Sequence, residues 1–255
     1  MSLPSPLPAL LLLSAAVLLL LPVQRYLFRH LQGLLLIISR RQSVALYLYA
    51  LLFFPGVVLH EGSHWLIARL LGVGTRRVSL LPSRQRGGRM RFGYVETEVS
   101  DPLRASLIGV APLVAGTVVC LVVAAEILGL GPAGERLVAA DGYGALQAAI
   151  ASLNRPDALV WLYLCFAISN TMLPSASDRQ AWLWPIGGLA ALAAGLYLAG
   201  LAPGAANWLA PWVEAASLRL TAVMGLTVVL DAVLLPPVLL TEALVARLVG
   251  VRIEY

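Results

Sequence analysis

Six long apolar stretches constrain this chain more than any other feature of its sequence. They cover residues 6–23, 44–71, 105–125, 158–173, 181–201 and 220–241. Each is near the roughly 17 to 25 residues that a helix needs to cross the hydrocarbon layer of a membrane. A backbone in lipid must satisfy its own hydrogen bonds, and a helix does so within one segment. We therefore expect an all-α polytopic membrane protein with about six transmembrane helices.

The composition leaves no room for a sizeable soluble domain. Hydrophobic residues make up 60% of the chain and charged residues 12%, whereas soluble proteins average roughly 45 to 50% and 25%. The 18 basic residues are all arginine and give a net charge of +5, which in such a chain indicates contacts with lipid headgroups. Cys120 and Cys165 have no metal-ligand spacing and are interpreted as small core residues. We expect one membrane domain over residues 1–255, with the lipid bilayer as partner and no nucleic acid.

The N-terminal region combines a helix with a more polar segment. Nothing basic precedes the first apolar stretch and no small-residue cleavage site follows it, so we expect a retained helix rather than a signal peptide. Residues 25–41 then mix apolar side chains with four arginines. This pattern is typical of an interfacial or re-entrant amphipathic segment.

The most polar part of the chain, residues 75–101, predicts a small β-hairpin or sheet. β-Branched and aromatic residues on both sides of Gly87 and Gly88 indicate two strands joined by a turn, with a bulge near Gly93. Its arginines place the hairpin on the cytoplasmic side by the positive-inside rule. If every apolar stretch crosses the membrane and successive helices alternate in direction, the arginines of residues 25–41 lie on the outer side, against the same rule. The conflict disappears if that segment dips back into the membrane or if the first apolar stretch does not cross it.

His60, Glu61 and His64 form an HExxH sequence within the second apolar stretch. Helical residues four positions apart share a face, so both imidazoles can reach one metal ion while Glu61 lies beside them. A glutamate between apolar flanks is costly in lipid and is usually functional. The alternative is two core histidines whose hydrogen bonds are satisfied within the protein, together with a buried ion pair. We expect a metal site, with zinc as the first choice.

The third metal ligand is expected to be a carboxylate, because the only other histidine, His30, is distant in the sequence. Helix direction places Asp178 on the same side of the membrane as the two histidines. Asp231, near the middle of a later helix, could also reach them, while Glu126 lies at the opposite end of its helix. The full set of candidates near apolar stretches is Glu126, Asp178, Asp231 and Glu242.

The HExxH sequence and the later run from Asn170 to Asp178 resemble the site-2 protease family of intramembrane zinc metalloproteases. That family pairs HExxH with an asparagine, a nearby proline and an aspartate eight residues after the asparagine; here these are Asn170, Pro174 and Asp178. The chain departs from the pattern at Arg179, where the family usually has glycine, and its proline comes four residues after the asparagine instead of three. The likeness covers about residues 44–178, and the hairpin resembles the family's membrane-associated sheet.

The resemblance implies a zinc endopeptidase that cleaves a transmembrane protein substrate, with its active site toward the cytoplasmic side of the cell membrane. His60, His64 and Asp178 would hold one zinc ion, and Glu61 would be the general base that activates water. The chain would divide into an N-terminal helix with an interfacial segment, a catalytic core that contains the hairpin, and two C-terminal transmembrane helices, at residues 1–43, 44–178 and 179–255 respectively.

Substrate contacts are expected from the hairpin and from Asn170. A helix hides its scissile carbonyls in hydrogen bonds, so the substrate must unwind, and an exposed strand can receive it as an added strand. We expect Phe92, Tyr94 and Val95 to contact it. Asn170 would donate a hydrogen bond to the substrate or to the oxyanion, or would instead cap a broken helix.

Two other functions fit part of the same pattern. One is a zinc-dependent membrane hydrolase with a lipid substrate, which the spacing from Asn170 to Asp178 argues against. The other is a catalytically divergent or inactive metal-binding protein of the same fold, which the departure at Arg179 permits. The intact Glu61 argues against this second alternative.

Overall fold

The computed structural model describes residues 6–84, 90–91, 93–138 and 141–251. Within them the chain is mainly helical with a little antiparallel strand, as the sequence predicts. The helices are α1 (Leu7–Ser39), α2 (Gln42–Leu52), α3 (Phe54–Leu70), α4 (Pro102–Val122, extended by a π-helical turn Val123–Ile127), α5 (Gly131–Val138), α6 (Gly142–Leu153), α7 (Ala158–Ser169), α8 (Leu183–Leu198) and α9 (Ala202–Val249). The strands are β1 (Thr75–Ser79), β2 (Ser83–Arg84), β3 (Met90–Arg91) and β4 (Tyr94–Thr97).

Three of the described helices are long and apolar enough to cross a membrane: α1, α9, and α4 with its π-helical turn. They indicate a membrane-embedded protein. α2 and α3 pass the same test only as a pair, bent by 71°, while α7 and α8 have just 12 and 16 residues. The expected six spans are therefore not confirmed. Apolar length does not set helix length: α7 ends at Ser169 although its apolar stretch continues to residue 173, and α1 and α9 run well beyond their apolar stretches.

α1 continues without a break through residues 25–39, although the sequence predicted an interfacial or re-entrant segment over residues 25–41. The helix ends only at Ser39, and Arg40 follows it in a left-handed conformation with φ 52°. Its buried side chains, Gln24, Leu27 and Leu31 among them, follow the helical repeat, and α1 packs along α9. The amphipathic pattern thus comes from one helix face buried against another helix.

The break between α2 and α3 has a local cause in the sequence. Pro55 lies in the first turn of α3, where its missing N–H is tolerated. The same residue cannot donate to the carbonyl four residues earlier, so α2 cannot continue through it. Phe53 joins the two helices in a non-helical conformation, and its side chain is buried. As a result, α3 starts as a separate helix and carries the HExxH sequence.

α7 runs through the centre of the helical packing. Its residue Phe166 joins an aromatic cluster with Tyr49 and Phe53. On its other sides, Cys165 and Ile168 pack with residues of α4 and α9. α7 therefore contacts α3, α4 and α9, and its C-terminal end is held in place from several directions.

The strands form two antiparallel pairs, β1 with β4 and β2 with β3. In the first pair Ser79 lies opposite Tyr94 and Val78 opposite Val95. The register shifts near Arg76, whereas the sequence predicted a bulge near Gly93. Gly93 lies between β3 and β4, at the interruption between the two strand pairs. The turn predicted at Gly87 and Gly88 falls outside the described residues.

Candidate metal centre

His60 and His64 lie on one face of α3, with their imidazole rings edge to face and their centroids 4.8 Å apart. Their Nε2 atoms are 3.2 Å apart. The spacing of four residues in one helix brings this about, because it places the two side chains one above the other. The motif therefore presents two ring nitrogens to the same point in space.

A backbone carbonyl of α4 orients His64. The Nδ1 atom of His64 lies 2.8 Å from the carbonyl oxygen of Ile108. Within a regular helix that carbonyl would accept the N–H of the residue four positions later, but this residue is Pro112, which has none. Pro112 therefore leaves the oxygen of Ile108 available to the histidine.

A second backbone carbonyl, at the end of α7, orients His60. The Nδ1 atom of His60 lies 2.7 Å from the carbonyl oxygen of Thr171. α3 and α7 approach closely at Gly56, one turn before His60, where a methyl group would lie 2.2 Å from the carbonyl oxygen of Ala167. Glycine at position 56 thus permits the close helix packing that brings Thr171 within reach of the imidazole.

These two hydrogen bonds determine the tautomer of both imidazoles. A carbonyl oxygen only accepts, so each Nδ1 carries the hydrogen and each Nε2 presents a lone pair. Two lone pairs 3.2 Å apart repel each other unless a cation lies between them. The arrangement of His60 and His64 therefore suits metal ligation better than a pair of satisfied core histidines.

Asp178 completes the cluster from the loop between α7 and α8. One carboxylate oxygen lies 3.4 Å from Nε2 of His64 and the other 3.7 Å from Nε2 of His60. The N–H of Ser175 donates to the carboxylate at 2.7 Å. Burial raises the pKa of Asp178, but the two imidazoles, when protonated, and the N–H of Ser175 outweigh this effect and hold the pKa well below its usual range. The carboxylate is therefore ionised and can act as a ligand.

The three side chains fit the requirements of a small metal ion. Their ligand atoms all lie within 4.8 Å of one another. A tetrahedral ion with bonds of about 2.0 to 2.2 Å separates its ligand atoms by about 3.3 to 3.6 Å, close to the 3.2 Å between the two Nε2 atoms and the 3.4 Å from His64 to its nearer carboxylate oxygen. Three protein ligands leave one tetrahedral position open, as in catalytic rather than structural sites. Among the described residues, this is the cluster that could hold a metal ion.

Glu61 lies beside the cluster and is buried, with 8% of its surface exposed. Gly93 packs directly against it: a methyl group on Gly93 would lie 2.8 Å from Cγ and 3.0 Å from Oε1 of the glutamate. The hairpin therefore covers the glutamate at a position that has no side chain, Gly93. Glu61 is not one of the clustered ligand residues, in agreement with a role other than ligation.

A cavity of about 930 Å³ contains the cluster. Gly93, Val95 and Thr97 line it at alternate positions of the hairpin, as expected for one face of a strand. Of the residues predicted to contact substrate, Val95 thus faces the cavity and Tyr94 does not line it. Phe92 lies outside the described residues.

Asn170 also lines the cavity, but its amide group already has partners. Its Nδ2 donates to Asp231 at 2.8 Å and to the carbonyl of Phe166 at 3.0 Å, and its Oδ1 accepts from Gln24 at 2.8 Å. Both amide hydrogens are thus engaged within the protein. This arrangement agrees with the predicted alternative in which Asn170 secures the end of a helix.

The other carboxylates considered as third ligand lie elsewhere. Asp231 is fully buried and accepts a hydrogen bond from Asn170. Glu242 lies 2.6 Å from Nδ1 of His30, between α1 and α9. Glu126 is exposed in the π-helical turn that follows α4. Of the four candidates, the structure brings only Asp178 to the histidines.

Comparisons with protein-family models, with curated proteins and with solved structures give no match to this chain. The chemistry of the cluster therefore has to be inferred from its own geometry.

Several contributors to the site were not identified from the sequence. The carbonyls of Ile108 and Thr171 and the N–H of Ser175 are backbone groups, which any residue type supplies. The sequence did indicate the carbonyl of Ile108, because Pro112 inside an apolar stretch cannot donate to the carbonyl four residues earlier. Gly56 and Gly93 gave a weaker signal, since a glycine in a helix or strand can indicate close packing.

Proposed function

We propose that this protein is an intramembrane zinc metalloprotease, related to the site-2 proteases, that cleaves a transmembrane segment of another membrane protein. One observation carries the proposal: His60, His64 and Asp178 converge within 4.8 Å in a large cavity, with the buried carboxylate of Glu61 beside them. An arrangement of two histidines and a carboxylate with an adjacent glutamate is typical of zinc peptidases.

The ligand chemistry favours zinc among the common metals. Two neutral imidazoles and one carboxylate form a mixed nitrogen and oxygen set, and the distances from Nε2 of His64 to its two partners are close to those around a tetrahedral ion. Magnesium and calcium prefer oxygen ligands in sets of six or more. When bound, zinc would polarise the scissile carbonyl and lower the pKa of water in the open position.

Glu61 is assigned the proton transfers. A carboxylate beside the ligands can accept a proton from the attacking water and pass it to the leaving amine. The burial of Glu61 limits its contact with bulk water, and the close packing of Gly93 lets the hairpin cover the glutamate. His60, His64 and Asp178 would hold the metal, each oriented by a backbone partner.

Substrate presentation is assigned to β4. The strand pairs with β1 on one side, and the residues Gly93, Val95 and Thr97 line the cavity. An unwound substrate segment can add to the strand through main-chain hydrogen bonds, which do not depend on its sequence. Asn170 is assigned a supporting role, because its amide hydrogens are already taken by Phe166 and Asp231.

The proposed setting is the cell membrane, with the metal centre toward the cytoplasm. The arginines of the hairpin support this orientation by the positive-inside rule. The proposed partners are a transmembrane protein substrate and the surrounding lipid.

The test combines metal analysis with a cleavage assay on purified protein in detergent or liposomes. Wild-type protein should contain about one zinc ion per chain and cut a test transmembrane segment. Glu61→Gln should retain the metal and lose cleavage by about 10²- to 10⁴-fold, the usual contribution of a general base. Asp178→Ala should lose both metal and activity. Glu242→Gln is the matched control, because it changes another buried carboxylate, paired with His30 outside the metal cluster.

The outcomes separate the alternatives. Full activity of Glu61→Gln would refute the mechanism. A wild-type protein that binds zinc but cleaves neither peptide nor lipid would be a non-catalytic metal-binding protein. Release of fatty acid from lipid, with no peptide cleavage, would make the chain a lipid hydrolase.

A further inference from the structure

The cavity extends beyond the metal cluster to a wall of aromatic side chains. Phe28 of α1, Tyr49 of α2, and Phe53 at the joint between α2 and α3 line this part. Val57 lies between the aromatic wall and His60. Residues 57, 60, 61 and 64 of α3, and Phe53 directly before it, line the cavity at the spacing of the helical repeat, so one helix face leads from the aromatic wall to the metal cluster.

The aromatic wall is packed and therefore preformed. The ring centroid of Phe53 lies 4.8 Å from that of Tyr49 and 5.2 Å from that of Phe28. Phe166 supports Phe53, with centroids 5.4 Å apart, but it does not line the cavity. Aromatic rings at such separations make favourable contacts and have few accessible rotamers. The wall can therefore receive a side chain without rearranging first.

We propose that the aromatic wall of Phe28, Tyr49 and Phe53 is a subsite for one large apolar side chain of the substrate, such as leucine, isoleucine or phenylalanine. This inference rests on the proposed protease function and adds a sequence requirement to it. Phe28 is partly exposed and offers apolar surface, and neither it nor the buried Phe53 has a side-chain hydrogen-bonding group. A charged or amide side chain placed against them would lose hydration without compensation.

The geometry gives the position of that side chain in the substrate. Val57 and Phe53 precede His60 by three and seven residues, which corresponds to about 5 and 10 Å along a helix that rises 1.5 Å per residue. An extended segment advances about 3.3 Å per residue. The recognised side chain is therefore two or three residues away from the scissile bond. Transmembrane segments supply such side chains at nearly every position, and the subsite selects the bond at which the register fits.

The test measures which substrate side chain the protein prefers near the cleaved bond, and not only whether it cleaves. A test transmembrane segment carries alanine at the positions around its cleavage site, and leucine is introduced at one position at a time. For wild-type protein we expect kcat/KM to rise about 10- to 100-fold when leucine stands two or three residues from the cleaved bond, the discrimination that apolar pockets usually reach. Leucine elsewhere should have little effect.

Variants then assign the preference to the aromatic wall. Phe28→Ala should reduce the ratio of leucine to alanine substrates to about threefold or less. Phe28→Trp fills the subsite and should shift the preference toward a smaller side chain, valine or alanine. Phe166→Leu is the matched control, because it alters the same aromatic cluster from outside the cavity and should keep the wild-type ratio. Metal content confirms that each variant is folded.

Three results would overturn the subsite alone. The first is a wild-type protein that cleaves all substrates in the series equally well; the protease function would then stand and the subsite would not. The second is an unchanged preference in both Phe28 variants. The third is a loss of preference in Phe166→Leu as large as that in Phe28→Ala. If wild-type protein cleaves none of the segments, the protease function falls, and the subsite with it.

Discussion

The contact between Gly109 of α4 and the loop that carries Asp178 leads to a quantitative prediction. In Gly109→Ala the new methyl group would lie 2.2 Å from the carbonyl oxygen of Asp178 and 3.3 Å from the indole nitrogen of Trp182. Such a contact must reach at least 3.0 Å, so α4 and the loop have to separate by about 0.8 Å. The obstacle is a backbone oxygen, which cannot rotate away.

This displacement is large compared with the tolerance of a metal site. Ligand distances in functional sites stay within about 0.2 Å of their ideal values. We expect Gly109→Ala to weaken metal affinity by about 10- to 100-fold, as the loss of a group that orients a ligand does. This corresponds to about 1.4 to 2.7 kcal/mol. Competition with a chelator of known affinity, followed on purified protein, measures the change directly.

Gly62→Ala is the control for this experiment. Gly62 lies within the HExxH sequence, closer to the ligands along the chain than Gly109, yet a methyl group there would meet no atom within 4 Å. We expect metal affinity within about twofold of wild type, and a slightly more stable helix, because alanine has the higher helix propensity. Unchanged affinity in Gly109→Ala, or an equal loss in both variants, would refute the reasoning.

Three further predictions concern the hydrogen bonds and the hairpin. Pro112→Ala restores an N–H that competes with His64 for one carbonyl, so metal affinity should fall about two- to tenfold in chelator titration; an unchanged value would contradict this. Gly93→Ala crowds Glu61, so cleavage should fall at least about tenfold while metal analysis gives wild-type content; loss of the metal would point to another cause. Val95→Pro should slow cleavage more than Val95→Ala, because proline removes a backbone donor; equal rates would exclude the strand edge as the substrate platform.

The parts of the site that follow from local rules were predictable. The helical repeat alone places His60 and His64 on one face. Alternating helix direction placed Asp178 on their side of the membrane, and the structure brings it to them. Asp231, near the middle of its apolar stretch, was the weaker candidate by position, and in the structure it is hydrogen-bonded to Asn170 instead.

Other features depend on tertiary contacts that residue types do not encode. Hydropathy located the apolar stretches, but the turns that end α7 after Ser169 and the unbroken course of α1 through residues 25–39 are decided by packing. The acceptors for the two imidazoles are main-chain oxygens of Ile108 and Thr171, 44 and 111 residues distant in the chain. Only their proximity in space identifies them.

The hydrogen bonds among Gln24, Asn170 and Asp231 bear on how the helices find their alignment during assembly. Lipid tails do not distinguish one apolar helix surface from another, so hydrophobicity alone permits α1, α7 and α9 to slide along each other. A slip of α9 by one turn would carry Asp231 about 5.4 Å from its donor and leave an uncompensated carboxylate in apolar surroundings. Misaligned arrangements are thereby penalised. Gln24, Asn170 and Asp231 thereby fix the alignment of α1, α7 and α9 along one another, and with it the position of the carbonyl that orients His60.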